Sequence, residues 1–146
     1  MTSELRVDNL KGSTTGGSIN VLGEGTSATT NLQQGLIKAW NSLDQNSGVA
    51  TDDSFNLTSL TDNRSGDHTQ SFVNNMNNND YSVTGNEKNH NLDGGWHTAI
   101  ILVGAKAVSN WIGVLSTSQY SIITVKRSDG SYVDTESSNQ VTGDLA

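Results

Sequence analysis

The sequence predicts a mainly β protein: an antiparallel β-sandwich or barrel-like domain preceded by an extended N-terminal arm and a short helix. Short segments in which Thr, Val and Ile alternate with polar residues predict strands, and clusters of Gly, Asn and Asp between them predict turns. Only 32% of the residues are hydrophobic and 16% are charged, and there is no proline. A disordered chain would be richer in charge and proline, so we expect a folded β protein.

Residues 1–30 are predicted to form an arm with two short strands. Leu5, Val7 and Leu10 alternate with polar residues and indicate the first strand. Val21 and Leu22 indicate the second, after a glycine-rich turn. Two short strands cannot bury enough apolar surface to be stable alone, so we expect this arm to need a partner.

Residues 31–36 are predicted to form a short helical segment, capped by one of residues 29–31. Leu32, Leu36 and Trp40 lie four positions apart, as in an apolar stripe on one helix. The alternation that follows also fits a strand. We favour a helix that ends near Gly35 and a strand through Trp40, with the three apolar residues at a subunit interface.

Residues 37–146 are predicted to form a β-sandwich domain. A turn at 62–67 and a type I′ turn at Asp129-Gly130 indicate two hairpins, the second pairing residues 121–126 with 132–135. Residues 74–80 fit either a loop or a short irregular helix, and residues 106–115 fit either a strand or a short helix. Strands are predicted over residues 55–60, 68–73, 81–84, 96–103 and 119–125.

The composition also predicts the kind of partner. So few apolar residues make a poor monomer, and burial between subunits is the usual remedy, so we expect an oligomer whose core takes in Trp40, Phe55 and Phe72. The net charge of −7 argues against binding nucleic acid or an anionic membrane. No apolar run approaches the length of a membrane span, so we expect no membrane insertion. The chain has no cysteine and therefore no thiolate metal site.

A series of motifs resembles a known module in order and spacing. They cover residues 4–86 and the last few residues of the chain. The motifs are Leu5–Gly12, Asn31–Leu36, Lys38-Ala39-Trp40, Asp53-Ser54-Phe55-Asn56, Thr61-Asp62-Asn63 with Gly66-Asp67, Asp80-Tyr81-Ser82-Val83, and the closing Gly143-Asp144-Leu145-Ala146.

This order resembles that in short tail-fibre and other virion structural proteins of marine and cyanobacterial bacteriophages. The resemblance implies a homotrimer that attaches to other virion proteins, of the tail or the capsid, through residues 1–30. It also implies that residues 31–36 are the trimerisation segment, that Leu32, Leu36 and Trp40 lie at the trimer interface, and that residues 37–146 are the fibre domain. It also implies a protein made in the host cytoplasm and located on the virion surface. Residues 87–140 match no part of the module.

Four aromatic residues in the C-terminal half are candidates for a surface that faces a host receptor, either a saccharide or a protein: Trp96, Trp111, Tyr120 and Tyr132. Beside polar side chains, exposed aromatic rings can stack on sugar rings. For Trp96 and Trp111 the alternative of a place in the trimer core is equally open.

Carboxylates and histidines are the remaining candidates for chemistry. Adjacent Asp52 and Asp53 are expected on opposite faces of a strand, and Asp62 and Asp67 flank a turn, where Asp usually bonds its own backbone. The three histidines, at positions 68, 90 and 97, lack the spacing of a metal-binding pair and are expected to lie in solvent or on strand faces. We therefore predict no catalytic residue, no metal and no cofactor.

The predicted function is that of a non-enzymatic virion structural protein, a trimeric fibre module that binds the host surface. Two alternatives stay open: a capsid decoration or head-fibre protein with no receptor role, and a carbohydrate-degrading fibre enzyme, which is the least favoured.

Overall fold

The computed structural model describes residues 4–22, 28–45, 48, 50–88, 100–103, 114–126 and 129–146, with residues 100–103 described as a strand only. Within these residues the protein is mainly β with antiparallel sheets, which confirms the predicted fold class. The chain divides into two units, Met1–Leu36 and Ile37–Ala146.

The first unit contains a two-stranded antiparallel sheet, β1 (Asn20–Leu22) and β2 (Thr29–Asn31), followed by helix α1 (Leu32–Gly35). Asn31 caps the helix, since its side chain accepts a hydrogen bond from the backbone N of Gln34 at 3.2 Å. The predicted strand over Leu5–Leu10 is wrong: this segment forms no ladder, and its apolar side chains are exposed. Alternation alone does not make a strand where no neighbouring strand supplies hydrogen bonds.

The second unit contains two four-stranded antiparallel sheets. The order in one is β4-β3-β10-β7, and in the other β5-β6-β9-β8. The bounds are β3 (Ile37–Asp44), β4 (Ala50–Phe55), β5 (Leu57–Arg64), β6 (Asp67–Phe72), β7 (Ser82–Glu87), β8 (Ile100–Val103), β9 (Gln119–Val125) and β10 (Ser137–Thr142).

Asn56 separates β4 from β5 and interrupts the strand that the sequence had predicted over residues 55–60. Its φ of 58° is left-handed, so the chain cannot continue as a strand, and β5 joins the other sheet. The side-chain Nδ2 of Asn56 donates to the carbonyl oxygens of Lys38 (2.9 Å) and Asn74 (3.1 Å). Asn56 therefore marks the point at which the chain crosses between sheets.

The core takes side chains from both four-stranded sheets. Phe72, predicted to face inward, packs edge-on against Tyr81 with ring centroids 5.6 Å apart and lies 5.5 Å from the ring of Tyr120. Met76, within the predicted loop or irregular helix, is buried in a loop that bridges to Leu145. The cluster comprises Ala39, Leu43, Phe72, Met76, Tyr81, Tyr120, Ile122 and Val141.

Strand β10 was not predicted, although it occupies a central position between β3 and β7. Its buried face carries Ser137, Asn139 and Val141, so two of the three inward side chains are polar. The predicted hairpin at Asp129-Gly130 forms only in part. Val125 bridges Tyr132, and the backbone N of Lys126 donates to the carbonyl oxygen of Ser131 at 2.8 Å.

Candidate functional site

The sheet β4-β3-β10-β7 carries two rows of side chains across its outer face. Residues paired across antiparallel strands lie on the same face, so the register defines each row. The first row is Phe55, Trp40, Gln140 and Thr84, and the second is Asp53, Ser42, Ser138 and Asn86. The inner face of β3, with Ala39, Asn41 and Leu43, is buried against the core.

A bulge in β3 widens this outer face. The pairing of β3 with β10 shifts between Ala39–Val141 and Ile37–Thr142, which leaves Lys38 as the extra residue. As a result Ile37 and Trp40, three positions apart, are both exposed. An uninterrupted strand would put them on opposite faces.

A groove of about 480 Å³ runs along this face, within the range of about 300–1,000 Å³ that is typical of ligand sites. Its walls are formed by strands β3, β10 and β7, and none of the described residues that line it is charged. The lining residues are Ile37, Trp40, Asn41, Ser42, Thr84, Gly85, Asn86, Ser138, Asn139 and Gln140.

The polar side chains of the groove differ in how far they are already hydrogen-bonded. The Ser42 hydroxyl donates to Oδ2 of Asp52 at 3.0 Å and also contacts the Lys88 ammonium group. In contrast, the side chains of Thr84, Ser138 and Gln140 make no hydrogen bond within the described part of the chain. One end of the groove is therefore committed to internal contacts, and its middle offers free donors and acceptors beside the Trp40 indole.

Sequence reasoning identified Trp40 but missed its polar neighbours. Ser138 and Gln140 lie on β10, which was not predicted as a strand, so nothing placed them beside Trp40. The signal available was the alternation through residues 137–142, which ends in Val141 and Thr142. Because two of the three buried residues of this segment are polar, the segment resembles a loop in sequence.

The three predicted interface residues do not share one helical stripe. Leu32 lies in α1, Leu36 follows the end of the helix, and Trp40 lies in β3 of the other unit. Leu36 is exposed and Leu32 is half-buried. Trp40 has 36% of its surface exposed and Phe55 has 53%, so neither belongs to the core of the single chain. Their place in a trimer core stays a prediction.

The predicted receptor-facing aromatics divide into three cases. Tyr120 is fully buried in the core, so its prediction as a surface residue is wrong: a chain with few aliphatic residues uses this ring for packing. Tyr132 is half-buried, and the Arg64 guanidinium lies 5.2 Å from its ring centroid. Trp96 and Trp111 lie outside the described residues.

Burial shapes the titration of the core tyrosines. It raises the pKa of Tyr81 to about 12, and the Tyr81 hydroxyl donates to the carbonyl oxygen of Ser116 at 2.9 Å. Burial also raises the pKa of Tyr120, and the neighbouring Tyr81 adds to that effect. Both rings stay neutral at physiological pH and act as packing groups.

A buried polar cluster surrounds the turn between β5 and β6. Asp67 is fully buried, and its carboxylate accepts from Nδ2 of Asn63 (3.1 Å) and Nε of Arg64 (3.4 Å). The Asp67 carboxylate was expected to accept a hydrogen bond from its own backbone. Here it accepts from these two side chains. The backbone N of Gly66 donates to Oδ1 of Asp134 at 2.6 Å, which ties the turn to a distant segment. These contacts hold the turn and leave Asp67 out of reach of a polymeric substrate.

His68 lies in strand β6, in line with the expected place on a strand face, and it is fully buried. Both of its ring nitrogens lack a hydrogen-bond partner among the described residues. Burial lowers the pKa of its imidazole, while the carboxylates of Asp62, Asp134 and Asp67 oppose that effect. Oδ1 of Asp62 lies 3.6 Å from Nε2 of His68. His90 and His97 lie outside the described residues.

The adjacent carboxylates Asp52 and Asp53 have different partners. The β3–β4 pairing shifts between Ser42–Asp53 and Leu43–Thr51, which makes Asp52 the extra residue of a second bulge. Asp52 lies 3.8 Å from the Lys88 ammonium, and Asp53 accepts from the backbone N of Ser54 at 2.8 Å.

Over the described ranges no three His, Asp or Glu side chains gather as a metal site would require. The described helix, α1, has four residues and is too short to cross a membrane. Comparison of the chain with known protein families, with curated proteins and with solved structures finds no match.

Proposed function

We propose that this chain is a non-enzymatic structural protein of a bacteriophage virion, a homotrimeric fibre module that attaches through residues 1–30 and binds the host surface. One observation carries the proposal: over residues 4–22 and 28–36 no residue is buried. Six large apolar side chains in this unit are exposed: Leu5, Val7, Leu10, Val21, Leu22 and Leu36.

With none of its described residues buried, this unit shows no core of its own that would fix its conformation. Each apolar side chain of this size gains about 1.5–3 kcal/mol when it is moved from water into a packed environment. Contacts with other chains are the available source of that burial. In the proposal, Leu32 and Leu36 pack about a threefold axis, and Leu5 and Val7 dock on other virion proteins.

The virion role is supported by the ordered motifs shared with phage fibre modules, which include Lys38-Ala39-Trp40 and Asp80-Tyr81-Ser82-Val83. A structural rather than enzymatic role is supported by the carboxylates. A glycosidase needs two carboxyl groups that face one cleft, about 5–9.5 Å apart. Here Asp67 is buried in contact with Asn63 and Arg64.

The solution mass of the full chain tests the assembly. Sedimentation equilibrium should give three times the chain mass of 15.5 kDa. Leu32→Asp/Leu36→Asp should reduce this mass to that of the monomer, because six carboxylates would meet at the axis. Leu5→Asp/Val7→Asp is the matched control and should leave the trimer intact.

Incorporation into phage particles tests the attachment. Leu5→Asp/Val7→Asp should be absent from purified particles, and electron microscopy of wild-type particles should locate the protein on the tail or the capsid. A wild-type protein that stays monomeric and folded at micromolar concentration contradicts the trimer. Full incorporation of the arm variant contradicts attachment through residues 1–30.

A further inference from the structure

We propose that the groove on the outer face of β4-β3-β10-β7 binds a neutral saccharide, with Trp40 as the stacking platform and Gln140, Ser138 and Thr84 as hydrogen-bonding groups. This inference rests on the proposed function, since it gives the fibre module a ligand on the host surface. The groove is distinct from the aromatic residues that the sequence singled out as receptor-facing.

The first argument is the kind of side chain in the groove. A sugar ring presents C–H groups on its faces and hydroxyls around its edge, so it fits an exposed aromatic ring flanked by amide and hydroxyl groups. Trp40 and Gln140 are direct neighbours across β3 and β10, and Thr84 follows on β7. Neighbouring strands lie about 4.8 Å apart, so this row extends about 10 Å, the scale of a disaccharide.

The second argument is the state of the polar groups. The side chains of Thr84, Ser138 and Gln140 make no hydrogen bond within the described part of the chain. A ligand can therefore use these donors and acceptors without breaking an existing contact. Each net hydrogen bond contributes about 0.5–1.5 kcal/mol, so several together are needed for selectivity.

The third argument is charge, which selects a neutral ligand. None of the described residues that line the groove is charged, and the nearby Lys88 ammonium already contacts Ser42 and lies 3.8 Å from Asp52. The chain carries a net charge of −7, which repels sialylated or sulfated glycans. Charge complementarity is thus absent for an acidic ligand and not required for a neutral one.

A second copy of the chain fits this groove less well. Seven of the ten described lining residues have polar side chains, and a second copy would bury the free Thr84, Ser138 and Gln140 side chains. Each of them left without a partner would cost about 1–3 kcal/mol.

The test is a glycan array probed with the full-length protein. The array carries neutral oligosaccharides of glucose, galactose, mannose and N-acetylglucosamine, with sialylated and sulfated glycans as charged counterparts. The wild type should bind a subset of the neutral glycans. Titration calorimetry with the best of them should show that Trp40→Ala weakens binding at least about tenfold, as expected for the central contact of a site.

Phe55→Ala is the matched control, because Phe55 is an exposed aromatic residue in the same row that does not line the groove. Its affinity should stay within about twofold of wild type. Gln140→Ala should weaken binding several-fold and keeps the test decisive if Trp40→Ala does not fold. If wild type and Gln140→Ala bind the glycan with equal affinity, the groove is not the saccharide-binding site.

Three outcomes overturn the saccharide site: no neutral glycan is bound, only charged glycans are bound, or Trp40→Ala becomes monomeric, which would make the groove a subunit interface. Measuring the mass of each sample distinguishes failure of the saccharide site from failure of the proposed trimeric assembly. A trimer that enters particles and binds no neutral glycan overturns the site alone. A monomer that binds neutral glycans through Trp40 overturns the assembly alone.

Discussion

The Oδ1 atom of Asn56 accepts two hydrogen bonds from Asn74, one from its backbone N at 2.7 Å and one from its Nδ2 at 3.1 Å. Together with the left-handed φ of Asn56, these bonds fix the crossing of the chain from one sheet to the other. Asn56→Gly should lose about 2 kcal/mol of unfolding free energy through the missing side-chain bonds. Asn56→Ala should lose about 1–2 kcal/mol more, because alanine is strained at this φ.

Urea denaturation of the two variants measures this order. Asn56→Asp tests the donor separately, since it keeps an oxygen for Asn74 but loses the Nδ2 bond to Lys38. If Asn56→Ala is as stable as Asn56→Gly, the backbone conformation at this position contributes nothing.

Asn41 and Asn139 form a buried amide pair across β3 and β10. Nδ2 of Asn139 donates to Oδ1 of Asn41 at 3.0 Å, while Nδ2 of Asn41 and Oδ1 of Asn139 have no partner among the described residues. Asn41→Leu or Asn139→Leu should each cost about 1–3 kcal/mol, because the remaining amide loses its hydrogen bond. The double variant should cost less than the sum of the two, since no polar group of the pair is then left buried. A double-mutant cycle in urea measures the difference, and strict additivity would contradict the coupling.

Gly66 and Gly130 offer a matched comparison of backbone strain with and without crowding. Their φ values are 69° and 72°. A Cβ at Gly66 would lie 2.6 Å from the carbonyl oxygen of Thr124, whereas one at Gly130 would meet nothing within 4 Å. Gly130→Ala should therefore cost about 1–2 kcal/mol from the left-handed conformation alone. Gly66→Ala should cost at least about 3 kcal/mol, because the clash with backbone adds to the strain. Thermal unfolding measures both, and equal losses would contradict the close approach.

His68 predicts a stability that falls in mild acid. Burial lowers the pKa of its imidazole in the folded state, so near neutral pH and below it the unfolded chain binds the proton more tightly. Stability is fully present above the unfolded pKa of about 6.5 and is lost as the pH falls through it, with a slope of at most about 1.4 kcal/mol per pH unit. His68→Gln should flatten the curve between pH 7.5 and pH 5.5. Parallel curves for wild type and His68→Gln would show that His68 does not titrate on unfolding.

The sequence predicts those parts of the fold in which the apolar pattern and the burial coincide. Strand β9 and the inward Phe72 follow from alternation, and the cap at Asn31 follows from its position before an apolar turn. Strand β10 escaped prediction because Ser137 and Asn139 are buried although they are polar. Their burial depends on pairing with β3 and β7, which lie far away in the sequence. No short stretch of sequence around β10 therefore reveals it.

The candidate site shows the same limit. Trp40 stands out in the sequence as a large aromatic residue, but its polar neighbours are set by the β3–β10 register. That register depends on the bulge at Lys38, for which there is no sequence signature. The prediction for Tyr120 failed for a different reason. Tyrosine suits a binding surface, but the chain has few aliphatic side chains and uses this ring in its core.

The central position of β10 has a consequence for how the protein is made. Asn41 on β3 meets Asn139, 98 residues later, so one edge of β3 has no partner while the ribosome adds the intervening chain. The edge of β7 that pairs with β10 likewise has no partner until β10 is translated. Unpaired strand edges recruit other chains, and such distant pairing is slow to form. This sheet therefore closes only after residues 137–142 have been translated, and until then these two strand edges stay open to pairing with other chains.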